Sequence, residues 1–304
     1  MLNIEDESNK SNTQKKPKIA LCLSGLSGGK NDVGRDSGGI DYSFPHFKKH
    51  ILEKNDVDVF THSWSVDDKE KILSLFKPKK YIIEKQREFS KILPNIGGEY
   101  IDEMQMGKKI RSGELPTSVI DSYNPPKNRK QQCYSQWYSR KKSIDLKREY
   151  EEENNFRYDY VMMARFDVLF FTDVIFEKFD NKIFYAPRNT TPFVDNKKPN
   201  YNSALIYKEN PERITFLEND YRRKGMMDFW FFSNSETMDK FSKLYDNLDY
   251  FNQSIRNELN YVPAEMCVVY QLNHIGLAEE NIKQVFHRVK DYELVRRWYL
   301  DSIY

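Results

Sequence analysis

Residues 158–171 read YDYVMMARFDVLFF, from Tyr158 to Phe171, and no other stretch of the chain is as apolar or as strand-like. A strand buried on both faces shows a near-continuous apolar run rather than alternation, and such strands belong to parallel sheets covered by helices. The stretch is therefore expected to be one fully buried central strand. Two charges interrupt it, Arg165 and Asp167, and the period of two along a strand puts both on one face. Burying two charges is costly unless they are paired or used. The pair reads either as a structural ion pair at a strand end or as part of a site.

Working outward, Lys18–Gly25 (KIALCLSG) is a short apolar run closed by Ser and Gly, which suits a buried strand entering a loop. The loop from Leu26 to Asp41 holds five glycines. Val57–Thr61 and Tyr81–Glu84 are expected as strands, with a short helix over Asp67–Phe76 between them. Strand, helix, strand at this spacing predicts a βαβ unit and a parallel sheet. Phe89–Lys130 is broken throughout by Gly, Pro, Asn and Lys and is expected to be an irregular insertion. Gln132–Glu152 has a helical pattern, with Tyr134, Trp137, Tyr138, Ile144 and Leu146 on an imperfect apolar face.

Downstream, Ile183–Pro187 is expected as a strand and Arg188–Lys224 as irregular chain with one helix. Asp228–Ser233 (DFWFFS) reads as a strand leading into a helix over Ser235–Leu248. A further helix is expected over Pro263–Ile275, with Pro at a permissive first-turn position. Lys283–Val289 alternates like a strand. No internal repeat or heptad is visible.

At 304 residues the chain is long for one domain and short for two. Its 48 basic and 46 acidic residues leave a net charge of +2, which gives no reason to expect a nucleic-acid partner. Mean hydropathy is −0.79, so the surface is polar, while 20 Tyr and 20 Phe can supply a core. A chain of this size buries roughly 75% of its extended surface, which argues against wholesale disorder. Cys22, Cys133 and Cys267 form no CxxC or Cys/His cluster, so a structural zinc site is not expected. So few cysteines, odd in number, read as reduced thiols of a cytosol-like compartment. No apolar run approaches about 18 residues, so no transmembrane helix is expected. Residues 1–17 are polar, lack the apolar stretch of a signal peptide and are expected to be a disordered tail.

Gly25–Lys30 (GLSGGK) superficially resembles a phosphate loop, but its spacing is one residue short and Asn31 stands where Ser or Thr is required. It reads as a flexible loop or, following a first parallel strand, as the border of a ligand crevice. In the second case its amides with Ser24, Ser27 and Arg35 would line a nucleotide. Asp167 offers an oxygen ligand to a hard divalent cation, and Arg165 a positive charge beside a diphosphate. Asp228 reads as a loop or capping aspartate, or as a group orienting an acceptor hydroxyl. Glu265 gains from the dipole of its helix, or serves as general base. His62 is a structural imidazole or a ligand contact, and His287 stands on a late strand with metal binding as its functional reading. His46 and His50 share helical spacing but lack the glutamate of a metalloprotease motif. Arg222-Arg223-Lys224 is a solvated face or an anion contact. Without a G-x-S-x-G elbow or a Cys/His partnership, serine and cysteine hydrolase chemistry is unsupported.

In order, the blocks LCLSGL, VDVFTHSW, YIIEKQREF, YSQWYSRKKSIDLKREYE, YDYVMMARFDVLFF, DFWFFSNSETMDKF, the Pro-Ala-Glu helix start and DYELVRRW resemble one family. They are similar to sugar-nucleotide glycosyltransferases of the GT-A type, which occur in bacterial capsule and lipopolysaccharide gene clusters and in some large viruses. The likeness spans Lys18–Trp298 as scattered blocks, and Arg-x-Asp is the most specific of them. It implies an α/β, GT-A-like (Rossmann-like) fold, with a mixed, mostly parallel central sheet flanked by helices and irregular insertions. One domain over 18–304 is implied, with residues 18–171 as nucleotide-binding half and 172–304 as acceptor-binding half. The implied reaction moves a sugar from a nucleoside diphosphate, UDP favoured over GDP, to a hydroxyl of a glycan or lipid-linked acceptor. The implied setting is the cytoplasm, at the inner face of a membrane for a lipid-linked acceptor, or the host cytoplasm for a viral protein.

In the family a D-x-D motif holds Mn2+ or Mg2+ against the diphosphate. Asp167 matches its second aspartate, whereas Arg165 stands at the first, and a guanidinium cannot ligate a cation. The resemblance thus leaves two possibilities: a metal held by Asp167 alone, or Arg165 taking over part of its role. It brings Ser24, Gly25 and Leu26 to the base or ribose, and the helix bearing Tyr138 and Lys141 to the donor. Asp228 and Glu265 fall in the acceptor half as candidate bases, Glu265 preferred. Whether the anomeric configuration is inverted or retained stays open. The two long irregular stretches would shape the acceptor site and exclude water. Two other readings compete: a catalytically silent sugar-nucleotide or glycan-binding module, and a transferase of phosphate or sulfate groups on glycans.

Overall fold

The apolar runs of the sequence become strands of one sheet, in a computed structural model that describes residues 16–28, 39–89, 127–195, 203–254 and 264–295. Outside the described residues lie most of the expected tail, loop residues 29–38 with Arg35, residues 90–126 of the expected insertion, Pro263, and the C-terminal residues with Trp298. The first half runs β1 (Lys18–Gly25), α1 (Ile40–Phe47, continued by a π-helical turn over Lys48–Leu52), β2 (Asp56–Ser63), α2 (Lys69–Phe76), β3 (Lys80–Ile83), α3 (Lys127–Asn154) and β4 (Tyr160–Arg165). Then come β5 (Val168–Phe170), β6 (Phe184–Pro187), β7 (Thr190–Val194), α4 (Ser203–Glu209), β8 (Ile214–Glu218), α5 (Tyr221–Lys224) and β9 (Trp230–Ser233). The last elements are α6 (Ser235–Ser242), α7 (Leu244–Ser254), α8 (Ala264–His274), β10 (Ile282–Val285) and β11 (Tyr292–Leu294).

Seven strands form the central sheet in the order β10-β6-β9-β4-β1-β2-β3. β1 pairs in parallel with both β2 and β4, and β2 with β3. β10 is parallel to β6, while β9 runs antiparallel to its neighbours β4 and β6. Alternation along β1 and β4 explains why both read as unbroken apolar runs. Ile19, Leu21, Leu23, Tyr160 and Met162 pack on one face with Phe47 and Phe76; Ala20, Cys22, Val161 and Met163 pack on the other with Trp137, Ile144 and Phe241. Helices cover both faces, as a parallel sheet requires. All three cysteines are buried free thiols. Among the described residues no helix is long and apolar enough to cross a membrane.

Four expectations are corrected. Tyr158–Phe171 is not one strand: β4 ends at Arg165, the chain turns over Phe166-Asp167, and β5 pairs antiparallel with β11 in a separate two-stranded sheet. The two charges would have shared one face of a continued strand; across the turn they pair with each other instead. The long helix starts at Lys127 rather than Gln132, inside the expected insertion. The expected Ser235–Leu248 helix is interrupted at Lys243, giving α6 and α7. Arg188–Lys224 is more regular than expected, with β7 and β8 paired as a second small sheet.

Candidate functional site

The chain leaves β1 toward β2 and β3 on one side, and β4 then returns to the other side of β1. In an open α/β sheet, this reversal opens a crevice outside the carboxyl ends of the two strands. Register puts Ser24 beside Arg165 on one flank and beside His62 on the other. The carboxyl ends of β4, β1 and β2 therefore present Arg165, Ser24-Gly25 and His62-Ser63 along one edge. Because β9 is antiparallel, its starting end lies at this same edge. The Arg165 amide donates to the Phe229 carbonyl at 3.1 Å, which brings Asp228 alongside.

Arg165 and Asp167 form a two-pronged ion pair: Nε donates to Oδ1 at 2.8 Å and Nη2 to Oδ2 at 2.7 Å. Asp228 Oδ1 lies 3.9 Å from Arg165 Nη1. The Arg165 side chain is 24% exposed, against 8% for Asp167 and 10% for Asp228, so the cation is what the cluster shows to solvent. Burial opposes the charge on Arg165, but Asp167 and Asp228 outweigh it and hold the guanidinium more firmly protonated than usual.

Arg140 reaches the cluster from α3. It is 1% exposed, its Nη2 donates to the Asp228 carbonyl, and its guanidinium lies 4.5 Å over the Trp137 ring. Its Nε and Nη1 are buried and have no hydrogen-bond partner among the described residues. Burial pushes its pKa down to about 10, so it is charged at neutral pH. One turn earlier, Gln136 donates to Asp228 Oδ2.

The loop after β1 is braced by backbone and hydroxyl bonds. The Gly25 amide donates to Ser139 Oγ at 2.8 Å, and its carbonyl accepts from Trp64 N and Ser63 Oγ. Gly25 has φ +99°, in the region that favours glycine. Ser24 Oγ donates to the Ala164 carbonyl and Ser27 Oγ to Asp68, so both hydroxyls are spent inside the protein. Leu26 packs half-buried against the core. Beside the loop, His62 sits between Ser139 Oγ (2.8 Å) and Glu84 (3.3 Å). Burial pushes the imidazole down to about 4, so it is neutral at pH 7. Trp64 stacks on Tyr138, and Arg87 lies 4.8 Å over the same tyrosine ring.

Other expected residues stand elsewhere. Lys141 faces away from the cluster and pairs with Asp145 and Asp246 at 3.3 and 3.8 Å; its neighbour Arg140 takes the inward position. Glu265 is exposed in the first turn of α8, where its charge still acts on Arg165. Its carbonyl accepts from Met226, beside Gly225 at φ +81°. A Cβ on Gly225 would come within 2.5 Å of the Glu265 carbonyl carbon, so this close approach needs glycine. His287 contacts Arg188, Thr190 and Phe216 away from the cluster. His46 bonds the Phe170 carbonyl and His50 bonds Asp173, as structural histidines do. Arg222 is spent on ion pairs with Asp220 and Glu279.

The donor set also tests a divalent cation. Both Asp167 oxygens already accept from Arg165, and an ion bound there would sit beside a guanidinium. Among the described residues no three His, Cys, Asp or Glu side chains group together in a way that could hold a metal ion. As arranged, these residues do not fit a resident Mn2+ or Mg2+.

Sequence reading missed Arg140 and Gln136. The available signal was the YSQWYSRKKS run, in which polar residues recur at helical period within the apolar face. The fold defines a mixed α/β protein with a seven-stranded, mostly parallel sheet flanked by helices. Neither the protein-family models nor the curated protein sequences give a match to this chain.

Proposed function

We propose that the chain is a GT-A-type glycosyltransferase, moving a sugar from a nucleoside diphosphate donor, UDP favoured, to a hydroxyl of a glycan or lipid-linked acceptor. The observation behind this reading is the reversal of strand order between β1 and β4. There Ser24-Gly25, Arg165, Asp167 and Asp228 converge at the edge where such sheets take nucleotides.

In this reading the braced Gly25–Gly28 segment, with Trp64 and Tyr138 beside it, borders the nucleoside. Negative charge grows on the leaving diphosphate as the sugar–phosphate bond breaks, and Arg165 lies where it can stabilise that charge. The general-base role is assigned to Glu265, exposed in the first turn of α8 and preferred by the resemblance, with Asp228 as the alternative. In that role it would take the proton of the acceptor hydroxyl as the hydroxyl oxygen attacks. The polar surface and the lack of a spanning helix among the described residues suit work in the cytoplasm, with peripheral contact where the acceptor is lipid-linked.

The engagement of both Asp167 and Asp228 also favours a second reading, a silent sugar-nucleotide or glycan-binding module. Incubation with a panel of UDP- and GDP-sugars, followed by assay of released nucleotide and mass of products, separates the two. Slow donor hydrolysis or transfer supports the enzyme. Binding with no turnover of any donor supports the module and overturns the transferase.

A further inference from the structure

We propose that Arg165, aimed by Asp167 and backed by the buried Arg140, is a metal-independent recognition site for a diphosphate group. The site stands on geometry alone; naming the diphosphate as that of a nucleotide donor rests on the proposed function.

The fork uses Nε and Nη2 of Arg165 on the two oxygens of Asp167. Such a fork fixes the guanidinium plane and leaves Nη1 at the far corner, beyond hydrogen-bond distance of Asp228 at 3.9 Å. A planar guanidinium held this way matches phosphate oxygens in shape and charge. Asp167 is thus a positioning residue whose lone pairs serve an arginine rather than a cation.

Arg140 supplies the second, independent observation. A charged side chain 1% exposed with two unpartnered nitrogens is costly to bury. Its cost is concentrated where Arg165, Asp167 and Asp228 also meet. Among the described residues its side chain donates to the backbone carbonyl of Asp228 and bonds no carboxylate. The positive potential it adds is expressed through Arg165, the one member of the cluster with substantial exposure. An anion arriving at Arg165 meets two guanidiniums in a partly desolvated setting. That is the electrostatic task a divalent cation performs when two carboxylates hold it.

The test is calorimetric titration of the whole protein with UDP and with inorganic pyrophosphate, each in EDTA and in Mn2+. The wild type is compared with Arg165→Ala, Arg165→Lys and Asp167→Asn. Both ligands are expected to bind in EDTA with the affinity seen in Mn2+. Arg165→Ala is expected to weaken both by about 10- to 100-fold, the worth of charge-assisted hydrogen bonds. Arg165→Lys keeps the charge, preserves folding should the alanine variant fail, and loses less. Asp167→Asn, whose amide oxygen can still accept one N–H, weakens binding less than Arg165→Ala with an unchanged melting temperature. Binding that requires Mn2+, or that is indifferent to both Arg165 substitutions, overturns the inference and leaves the donor reading standing. Pyrophosphate binding in EDTA without UDP binding supports the site and overturns the donor reading. No binding of either ligand in either condition overturns both.

Discussion

One face of α3 enters two buried ionic clusters seven residues apart, and they are built on opposite terms. At Lys147 every charge is answered. Its ammonium donates to Glu151 at 2.9 Å, Ser235 at 2.6 Å and Asp239 at 2.7 Å, and Arg157 bonds the other Asp239 oxygen. Glu151 Oε1 accepts from the Tyr158 amide and the Ser235 hydroxyl. At Arg140 two guanidinium nitrogens have no hydrogen-bond partner among the described residues, and the neighbouring Arg165 side chain is 24% exposed. A closed network ties α3 to α6 and to the start of β4 and asks for nothing more. An incomplete one retained in a core points to a ligand, because unsatisfied buried charge is otherwise selected against.

The comparison is broken or sharpened most by Lys147→Met. Removing the buried ammonium leaves Glu151 and Asp239 to the exposed Arg157, and we expect a loss of about 3 kcal/mol in denaturant unfolding, the lower end for breaking a buried ion pair. An effect below about 1 kcal/mol would mean that the two clusters do not differ in kind. Next is Arg165→Ala assayed for turnover. A fall of about 100-fold, or about 2.7 kcal/mol of transition-state stabilisation, is expected from losing one positioned donor group. Unchanged turnover would make the Arg165 cluster as structural as that of Lys147.

His62 offers a buried group that is satisfied while neutral. Its folded pKa of about 4 lies below the unfolded value of 6.5, so the stability it confers is complete above pH 6.5. That stability is lost as pH falls from 6.5 toward 4, where the unfolded chain binds a proton the folded chain refuses. The slope it adds is at most about 1.4 kcal/mol per pH unit. Gln at position 62 should flatten that limb of the stability–pH curve relative to wild type; coincident limbs would assign the acid sensitivity elsewhere. The smallest effect is expected from Arg140→Met. Its single hydrogen bond and its stacking on Trp137 suggest a cost of about 1 kcal/mol, well under that of Lys147→Met despite equal burial. A cost equal to that of Lys147→Met would show that Arg140 holds the fold rather than a ligand.

Much of the sheet was legible because its signals are local. Lys18–Gly25 was read to the residue, and DFWFFS located β9 to within two positions, since apolar content and Gly or Asn stops act over a few residues. Legibility failed where a distant partner set the outcome. Arg165 and Asp167 were visible as an anomaly, yet the turn between them depends on β11, whose neighbour Val295 donates to the Asp167 carbonyl at 2.8 Å. In the candidate site, Asp228 could be named from its place before an apolar strand. Arg140 could not be separated from Lys141, because adjacent basic residues on one helix look alike until the helix is rotated against the sheet.

The sequence by itself determined that a doubly covered, largely parallel sheet would form, and that two charges would break the apolar run of its central strand. Side-chain periodicity and the cost of burying charge are properties of short segments, so they need no knowledge of the rest of the chain. Only the tertiary structure decided which charges meet. Arg140 and Asp228 are 88 residues apart, and an antiparallel strand among parallel ones turns Asp228 to the edge where Arg165 ends β4. Strand order and helix rotation are collective outcomes of packing, and the site is assembled from them.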